Sequence, residues 1–208
     1  MAENDGPANG IKKADLAPDP IVQFKRWYEE ALGSGLENPD AMTLATASAD
    51  GRPSARIVLL KTVDEGGFVF FTNYKSRKAR ELAENPWASL VFLWDPLGRQ
   101  VRIEGPVEKT TAAESDDYHH SRPRGSQLGA LVSRQSEVIT NRNALDARLE
   151  KLTGRYEAKE IPRPDFWGGY RLRPTTIEFW QHRDNRLHDR LRYGRRETGE
   201  WVLERLAP

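Results

Sequence analysis

Several short segments concentrate the basic side chains of this chain, and each could bind an anion. The first is Ser76-Arg77-Lys78, at the start of a predicted short helix. A helix N-terminus carries partial positive charge and free N–H groups, so two cations there become favourable when an anion such as phosphate binds between them. Two solvated surface cations would give the same pattern, and the sequence alone leaves both interpretations open.

The second segment, RIVLLK over residues 56–61, places a cation at each end of an apolar run. Alternation along a strand points Arg56 and Lys61 to opposite faces of the sheet. For both to serve one site, the strand must bulge or the site must wrap around its edge. The alternative is that the two strand ends simply reach water.

The third segment is YHHSRPRGS, over residues 118–126. Tyr118 and Arg122 are four residues apart and therefore share one face of a helix. Pro123 disfavours helix at the residue before it, so we expect a loop or a new helix start from Arg122 to Ser126. A phenol, a guanidinium and a hydroxyl together suit a phosphate group.

The fourth segment, EFWQHRDNRLHDR over residues 178–190, has the sharpest pattern. It predicts a hairpin whose second strand carries Arg186, His188 and Arg190 on one face, because strand side chains alternate. A solvated strand face is the alternative, which is weakened by Trp180 in the neighbouring strand, where burial is expected. These segments predict two separate clusters of basic residues, which is more than one phosphate group needs. We therefore expect two phosphorylated small molecules, or one molecule with two phosphate groups.

His119 and His120 could indicate a metal site. Adjacent side chains point apart on a helix, however, and no nearby residues complete a ligand set. We therefore expect both histidines at the surface and no metal site in the protein.

The elements that must position these segments follow from the hydrophobic spacing. A helix is predicted to begin at Asp19, with Pro20 in its first turn and an apolar face at Ile21, Phe24, Tyr28, Ala31 and Leu32. The period then becomes that of strands with tight turns, including one strand over residues 54–63. A helical section over residues 110–156, interrupted at Pro123, precedes the last strands. The pattern predicts a mainly β, α+β fold: a small antiparallel barrel with helices packed outside it.

Composition narrows the classes of protein to consider. The 208 residues carry a net charge of +1 and no cysteine, which excludes disulfides, thiolate metal sites and a cysteine nucleophile. A charge near zero disfavours nucleic-acid binding, and the longest apolar run is too short to span a membrane. We expect a cytoplasmic protein with a mobile arm over residues 1–17 and one domain over residues 18–208.

The segments above, in the same order, resemble those of the pyridoxine/pyridoxamine 5'-phosphate oxidase family. The most specific is the C-terminal EFWQHRDNRLHDR, and RIVLLK, FTN with SRKA, YHHSRPRGSQ, SRQS, FWGGYR and the final RLAP are also similar. The resemblance extends over almost the whole chain, from residue 19 to residue 208. It implies an FMN-binding split barrel that works as a homodimer, with FMN at the subunit interface.

The resemblance also implies the residues of the site. Those that would contact FMN are Arg56, Ile57, Val58, Leu59, Leu60, Lys61, Phe71, Thr72, Arg77, Lys78, Gln100, Gln135, Ser136, Trp180 and Arg190. Those that would bind the substrate are Lys61, Tyr118, Arg122, Ser126, Arg186, Leu187 and His188. Arg186 and His188 would be the catalytic pair. Arg186 would position the pyridine ring and stabilise developing charge, and His188 would orient the substrate or assist proton movement.

The reaction that the resemblance implies is the oxidation of pyridoxamine 5'-phosphate or pyridoxine 5'-phosphate to pyridoxal 5'-phosphate. A hydride leaves the 4'-carbon of the substrate for the flavin, which gives the aldehyde directly from pyridoxine 5'-phosphate. Pyridoxamine 5'-phosphate gives an imine, which water hydrolyses to the aldehyde and ammonia. Dioxygen then reoxidises FMN and yields hydrogen peroxide. One alternative is another FMN split-barrel reductase with a different substrate. The residues expected to bind the substrate disfavour it, namely Tyr118, Arg122, Ser126, Arg186 and His188. Others are a protein that binds pyridoxal 5'-phosphate without turnover and a nucleic-acid-binding module, which the charge disfavours.

Two positions depart from the family pattern. Residues 4–6 lack the arginine and tyrosine that family members often carry in an arm that folds over the substrate. His182 stands where the C-terminal signature usually has a small residue. We expect His182 to be tolerated in a hairpin turn, although it could alter access to the flavin.

Overall fold

The computed structural model describes residues 10–208, whose ten strands form one antiparallel sheet with helices outside it. The strands are β1 (Ala41–Ala47), β2 (Pro53–Leu59), β3 (Thr62–Asp64), β4 (Gly67–Asn73), β5 (Trp87–Trp94), β6 (Arg99–Lys109), β7 (Trp167–Leu172), β8 (Thr176–Gln181), β9 (Asp189–Arg195) and β10 (Trp201–Leu206). The α-helices are α1 (Pro20–Leu32), α2 (Arg77–Glu84), α3 (Ala112–Ser121), α4 (Arg124–Val132) and α5 (Arg142–Tyr156). The predicted antiparallel β fold with outer helices is confirmed. None of the described helices is long and apolar enough to cross a membrane.

The sheet curls into a barrel that stays open along one seam. The long strand β6 pairs with β5 and β8 over its first part and with β7 over residues 107–109. Strand β4 pairs with β7 on one side, and on its other side β3 pairs with residues 67–69 of β4 only. Among the described strands, β2 pairs only with β1. Among the described residues, β2 and β4 come close without a hydrogen-bonded ladder between them. Both strands therefore keep an edge whose backbone groups are available to a ligand.

Helix α1 packs an aromatic face into the core of the barrel. It begins as predicted, because the Asp19 carboxylate accepts hydrogen bonds of 2.6 and 3.2 Å from the N–H groups two and three residues further on. Phe24 is fully buried, and its ring packs edge-on against that of Phe68 with the centroids 4.8 Å apart. The predicted apolar face is wrong at Leu32, which is 55% exposed. Leu32 is the last residue of the helix, and its side chain is left outside the core.

The prediction of one strand over residues 54–63 is wrong, because the chain changes direction within it. β2 ends before Leu60 and β3 begins after Lys61. The N–H of Leu60 donates to the carbonyl of the residue before β1, at 2.9 Å, whereas the N–H of Lys61 donates to β4, at 2.8 Å. The chain thus crosses from the β1 side of the seam to the β4 side. Strand alternation therefore does not relate Arg56 to Lys61.

The predicted strand through Arg186 and His188 is also wrong. Asp184–Arg186 form a tight turn in which Asn185 and Arg186 have φ values of 56° and 62°, and β9 begins only after His188. A left-handed backbone at two consecutive residues reverses the chain. The side chains of Arg186, His188 and Arg190 therefore do not alternate along one strand face.

Residues 11–17, part of the predicted arm, lie against the folded domain. Ala17 is 4% exposed, and its carbonyl accepts a 2.5 Å hydrogen bond from the hydroxyl of Tyr193 in β9. This part of the predicted arm therefore belongs to the domain. Residues 1–9 of the predicted arm, including the departure at residues 4–6, lie outside the described residues.

Candidate active site

A cavity of about 380 Å³ opens at the seam between β2 and β4. The start of α2, the end of α3, and α4 with the loop that follows it complete its walls. Its volume lies in the range of small-molecule sites. The residues that line it are Ile57, Val58, Leu59, Lys61, Phe71, Thr72, Asn73, Lys78, Tyr118, Arg122, Gly129, Ala130, Ser133, Gln135 and Trp167.

The start of α2 brings five of the predicted cofactor residues together. Lys78 is 8% exposed, and its ammonium donates to the side-chain oxygens of Thr72 at 3.1 Å and Gln135 at 2.8 Å. The first N–H of the helix, that of Arg77, donates to the hydroxyl of Ser136 at 3.1 Å. The convergence of this helix with the loop after α4 was predicted only from the resemblance. The alternative of a solvated surface cation is wrong for Lys78.

Lys78 has no carboxylate within ion-pair distance among the described residues, and its hydrogen-bond partners are neutral oxygens. Burial, followed by the nearby charge of Arg56, lowers the pKa of Lys78 to about 8. The hydroxyl of Ser76, directly before the helix, is buried and has no hydrogen-bond partner in the described part of the chain. A buried cation without a counter-charge and a buried hydroxyl without an acceptor fit an anion at this helix start.

Arg56 is held by a buried carboxylate rather than by the cavity. Its guanidinium donates to the Glu81 carboxylate at 3.4 Å, to the Thr46 hydroxyl at 2.6 Å and to the Ser54 hydroxyl. Arg77 donates to the other oxygen of Glu81 at 2.8 Å. Burial acts to raise the pKa of this carboxyl, but hydrogen bonds from Ser54, Thr46 and Arg77 outweigh it and lower the pKa to about 2. Glu81 is therefore ionised at any working pH and connects Arg56 with Arg77.

Tyr118 and Arg122, at the end of α3, meet an aromatic stack in the cavity wall. The ring of Phe71 lies parallel to those of Tyr118 and Trp167, with centroids 4.0 and 5.5 Å away. The Arg122 guanidinium sits over Trp167, 4.6 Å from the ring centroid. Burial lowers the pKa of Arg122, and its Nη1 is buried without a hydrogen-bond partner among the described residues. A buried donor of this kind is costly unless a ligand accepts from it, so this part of the cavity fits a second anion.

The other residues predicted in this region are placed differently. Lys61 lines the cavity but donates to the Asp40 carboxylate at 2.9 Å. Leu60 is buried and does not reach the cavity. Ser126 lies in the first turn of α4, where it is exposed and outside the cavity wall. The structure therefore joins Tyr118 and Arg122 but does not join Ser126 to them.

His119 corrects the prediction that both histidines lie at the surface. It is fully buried, with its ring 5.5 Å from that of Trp167, whereas His120 is exposed and lies 3.0 Å from Glu160. The Nε2 of His119 donates to the carbonyl of Ile161 at 3.1 Å, because a carbonyl can only accept. Burial lowers the pKa of His119, so the ring is neutral and supports Trp167. Within residues 10–208, no group of three His, Asp or Glu side chains could hold a metal ion.

The remaining predicted residues form a second cluster, on β6, β8 and β9. Gln100, Trp180 and Arg190 are neighbours in register across these three strands. Arg190 donates to both oxygens of the Glu178 carboxylate, at 2.8 and 3.0 Å. The ring of His188 lies 4.5 Å from that of Trp180, and its Nδ1 accepts a 3.1 Å hydrogen bond from a backbone N–H. The neutral ring therefore carries its proton on Nε2.

The turn before β9 places Arg186 and Leu187 at the surface, beside this second cluster. Arg186 is exposed, and Leu187 is 69% exposed. His182 is also exposed, with its ring 5.1 Å from that of His188. Of the two predicted catalytic side chains, His188 therefore packs on Trp180 in the second cluster, whereas Arg186 is exposed in the turn that precedes it.

The cavity and the second cluster are far apart along the sheet. In the strand order, β2 is followed by β1, β5 and β6, and β9 comes two strands after β6. Neighbouring strands are ~4.8 Å apart, so about 14 Å of sheet separates β2 from β6 and about 24 Å separates it from β9. No residue of the second cluster lines the cavity in the described part of the chain. One copy of the chain therefore does not unite all the predicted site residues.

Sequence reasoning missed several residues around the cavity. Those absent from the prediction are Asn73, Gly129, Ala130, Ser133 and Trp167. For Trp167 a signal existed, because it precedes two glycines in FWGGYR. A Cβ on the second of these, Gly169, would lie 2.9 Å from the Phe71 ring and 2.5 Å from the Thr110 hydroxyl oxygen, so the aromatic stack needs glycine there. Glu81 was also missed, and only its spacing of four residues from Arg77 could have indicated its partner.

An antiparallel barrel that is open along one seam, with a cationic cavity at that seam, defines a split β-barrel protein. The sequence matches the family model described as pyridoxamine 5'-phosphate oxidase over residues 28–156. Residues 167–208 match a second model, described as the pyridoxine 5'-phosphate oxidase C-terminal dimerisation region. The chain belongs to the pyridoxamine 5'-phosphate oxidase family of flavin oxidoreductases, as the resemblance implied.

Individual relatives agree with this assignment. A pyridoxine/pyridoxamine 5'-phosphate oxidase of Salinibacter ruber is 57% identical over 200 residues, which cover 95% of this chain and 93% of the relative. The protein of the same name from Rubrobacter xylanophilus is 58% identical over 199 residues, with coverage of 96% and 91%. The crystal structure of PhzG from Burkholderia lata, in complex with tetrahydrophenazine-1-carboxylic acid, matches with a TM-score of 0.90 at 35% identity over 98% of this chain and 100% of PhzG.

Proposed function

We propose that the protein acts in the cytoplasm, where it oxidises pyridoxamine 5'-phosphate and pyridoxine 5'-phosphate to pyridoxal 5'-phosphate. FMN is its cofactor, and dioxygen would be reduced to hydrogen peroxide. The structural observation that carries the proposal is one cavity lined by two cations, the buried Lys78 and the partly buried Arg122, that lack carboxylate partners among the described residues. The reaction needs this arrangement, because FMN brings one phosphate group and the substrate brings another.

The residues at the start of α2 fit the phosphate of FMN. Lys78, Arg77 and Arg56 would hold it together with the first N–H groups of the helix. The hydroxyl of Ser76, which has no partner within residues 10–208, and the lowered pKa of Lys78 support this assignment, because a bound anion relieves both. Residues 57–59 would contact the flavin through the edge of β2 that faces the seam. When bound, FMN supplies the two-electron acceptor that takes a hydride from the substrate carbon.

Tyr118 and Arg122 would bind the phosphate of the substrate. The buried Nη1 of Arg122 needs an acceptor, and the guanidinium is held in place by the ring of Trp167, over which it lies. Lys61 would join them by exchanging Asp40 for the phosphate. These side chains fix the substrate by a group that does not react, so they orient the reacting carbon without taking part in the chemistry.

The second cluster would reach the cavity from a partner copy in a homodimer. The cofactor contacts predicted on β6, β8 and β9 lie three to five strands away from β2 within one chain. The match over residues 167–208 is to a dimerisation region, and it includes most of this cluster. Ile57 and Leu59, beside the cavity, are 64% and 41% exposed. They are apolar surface that a partner chain would cover.

Arg186 and His188 would then face the substrate ring. The cationic guanidinium of Arg186 can donate hydrogen bonds that position the ring and can stabilise charge that develops as the hydride leaves. The neutral ring of His188 carries its proton on Nε2, because Nδ1 accepts from the backbone. His188 can therefore donate a hydrogen bond that orients the substrate.

A turnover assay with matched substrates tests the proposal. The FMN-loaded protein is incubated in air with pyridoxamine 5'-phosphate, pyridoxine 5'-phosphate or unphosphorylated pyridoxamine, and pyridoxal products and hydrogen peroxide are measured. We expect equimolar pyridoxal 5'-phosphate and peroxide from both phosphorylated substrates, and a far lower rate with pyridoxamine. No turnover of either phosphorylated substrate would contradict the proposal. Turnover of tetrahydrophenazine-1-carboxylic acid, the ligand in the PhzG structure, would instead indicate a PhzG-like substrate.

A further inference from the structure

We propose that Glu81 is a positioning residue for the cofactor, which holds Arg56 and Arg77 in the arrangement that binds the phosphate of FMN. The inference rests on the proposed function, because that function assigns both arginines to FMN. It adds a residue that lies outside the cavity wall and does not itself contact the ligand.

Glu81 is the centre of a network that joins three elements of the seam. Glu81 as a whole residue is 6% exposed. One oxygen accepts from the hydroxyls of Thr46 in β1, at 2.5 Å, and Ser54 in β2, at 2.6 Å, and also from Arg56 at 3.4 Å. The other oxygen accepts from Arg77 in α2 at 2.8 Å. A buried carboxylate is costly unless its oxygens are fully bonded, and these four donors meet that requirement.

The two arginines depend on Glu81 to different degrees. Arg56 makes its only ion pair in the described part of the chain with Glu81, and its other hydrogen bonds go to neutral oxygens. The side chain of Arg77 is 61% exposed, and Glu81 is its one side-chain partner within residues 10–208. Without Glu81, Arg77 would turn into solvent, and both arginine side chains would be mobile in the free protein. FMN binding would then have to order them, and this loss of conformational entropy would weaken the affinity.

Charge and position predict opposite effects of removing this carboxylate. A negative charge next to a phosphate site repels the phosphate, so charge alone predicts that neutral Gln at position 81 would strengthen FMN binding. Loss of the hydrogen bonds that fix Arg56 and Arg77 predicts weaker binding. The sign of the effect therefore distinguishes a positioning residue from a mere neighbouring charge.

The test compares FMN with riboflavin, the same flavin without the phosphate. We expect Glu81→Gln to raise the dissociation constant for FMN about tenfold, the loss typical of a charged hydrogen bond, with riboflavin affinity unchanged. Glu84→Gln, an exposed change on the same helix, is the control and should bind both flavins like the wild type. Equal or tighter FMN binding by Glu81→Gln, or a parallel loss for riboflavin, would overturn the proposal. Failure of the wild type to bind FMN would instead contradict the proposed function.

A pH profile separates positioning from general damage to the fold. Lys78 is faced by Arg56 from β2, by Glu81 from its own helix, by Thr72 from β4 and by Gln135 from the loop after α4. Glu81 is the carboxylate that favours the ammonium. In Glu81→Gln, FMN affinity should therefore begin to fall at a lower pH than in the wild type, and an unshifted profile would count against the proposal.

If Glu81→Gln does not fold, Ser54→Ala replaces it. Ser54 donates to Glu81 and accepts from Arg56, so its loss loosens the same network without removing a buried charge. We expect a smaller loss of FMN affinity and no change for riboflavin. Unchanged FMN affinity in this variant would overturn the proposal.

Discussion

FMN binding to the apoprotein should weaken as the pH rises above about 8, because binding favours the cationic form of Lys78. Burial, followed by the charge of Arg56, lowers the pKa of this lysine to about 8. A lysine whose pKa is lowered is cationic below that value and neutral above it. The affinity for a phosphate is therefore fully present below about pH 8 and is lost above it.

The size of the effect follows from the cationic fraction of Lys78. With a pKa of about 8, roughly nine-tenths of the side chain is cationic at about pH 7 and roughly one-tenth at about pH 9. A bound phosphate returns the pKa to an ordinary value of about 10.4. The dissociation constant for FMN should then rise about tenfold between about pH 7 and about pH 9. The second ionisation of a phosphate ester, at a pKa of about 6, is complete over this range.

Titration of the apoprotein with FMN, followed by quenching of the flavin fluorescence, measures this dependence. Lys78→Arg is the matched variant, because arginine stays cationic and should bind FMN with nearly constant affinity across the range. Any ionisation of the cofactor itself would be present in both proteins. A wild type without the loss, or a Lys78→Arg variant with the same loss, would refute the role given to Lys78.

Four further results are expected. Arg122→Ala should raise the KM for pyridoxamine 5'-phosphate about tenfold with little change in kcat, because Arg122 would bind a remote phosphate, and an unchanged KM in steady-state kinetics would remove Arg122 from the site. Arg186→Ala should lower kcat by roughly a hundredfold while the purified protein keeps its flavin absorbance, and loss of FMN would assign the turn to the cofactor instead. Dimers assembled from an equal mixture of these two variants should regain about a quarter of the wild-type activity at low substrate. About half of the dimers are mixed, and each of these has one of its two sites intact, because one chain supplies Arg122 and the other supplies Arg186. No recovery would contradict a shared site. Phe24→Ala should lower the free energy of unfolding by about 3–5 kcal/mol in urea denaturation, and a loss well under about 1 kcal/mol would show that α1 is not part of the core.

Elements set by local patterns could be predicted from the sequence. The helix that begins after Asp19 lies where its cap and its hydrophobic period place it. The errors occur where a distant part of the chain decides the outcome. The strand after Ser54 breaks at Leu60 because its two sides bond to different strands of the barrel. His119 is buried because the segment around Ile161 packs over the end of α3, which spacing within the helix does not reveal.

The sequence predicted which residues belong to the candidate site, but it did not predict how they are arranged in space. Basic segments around Lys78 and Arg122 indicated two anions, and both segments do line one cavity. The segment from Arg186 to Arg190 was expected to share one strand face, but the left-handed turn separates its side chains. Its distance from the cavity depends on strand order, which local sequence does not encode. A site shared between subunits becomes visible only once both positions are known.

Anaerobic mixing of the FMN-loaded protein with pyridoxamine 5'-phosphate tests the central claim most directly. The visible flavin absorbance is followed after mixing, and air is then admitted. An oxidase of this specificity should lose the absorbance on mixing and regain it in air, with one peroxide formed for each pyridoxal 5'-phosphate. A bound flavin whose absorbance does not change would contradict the proposed reaction, and a protein that cannot be loaded with FMN would contradict the assignment of the cavity.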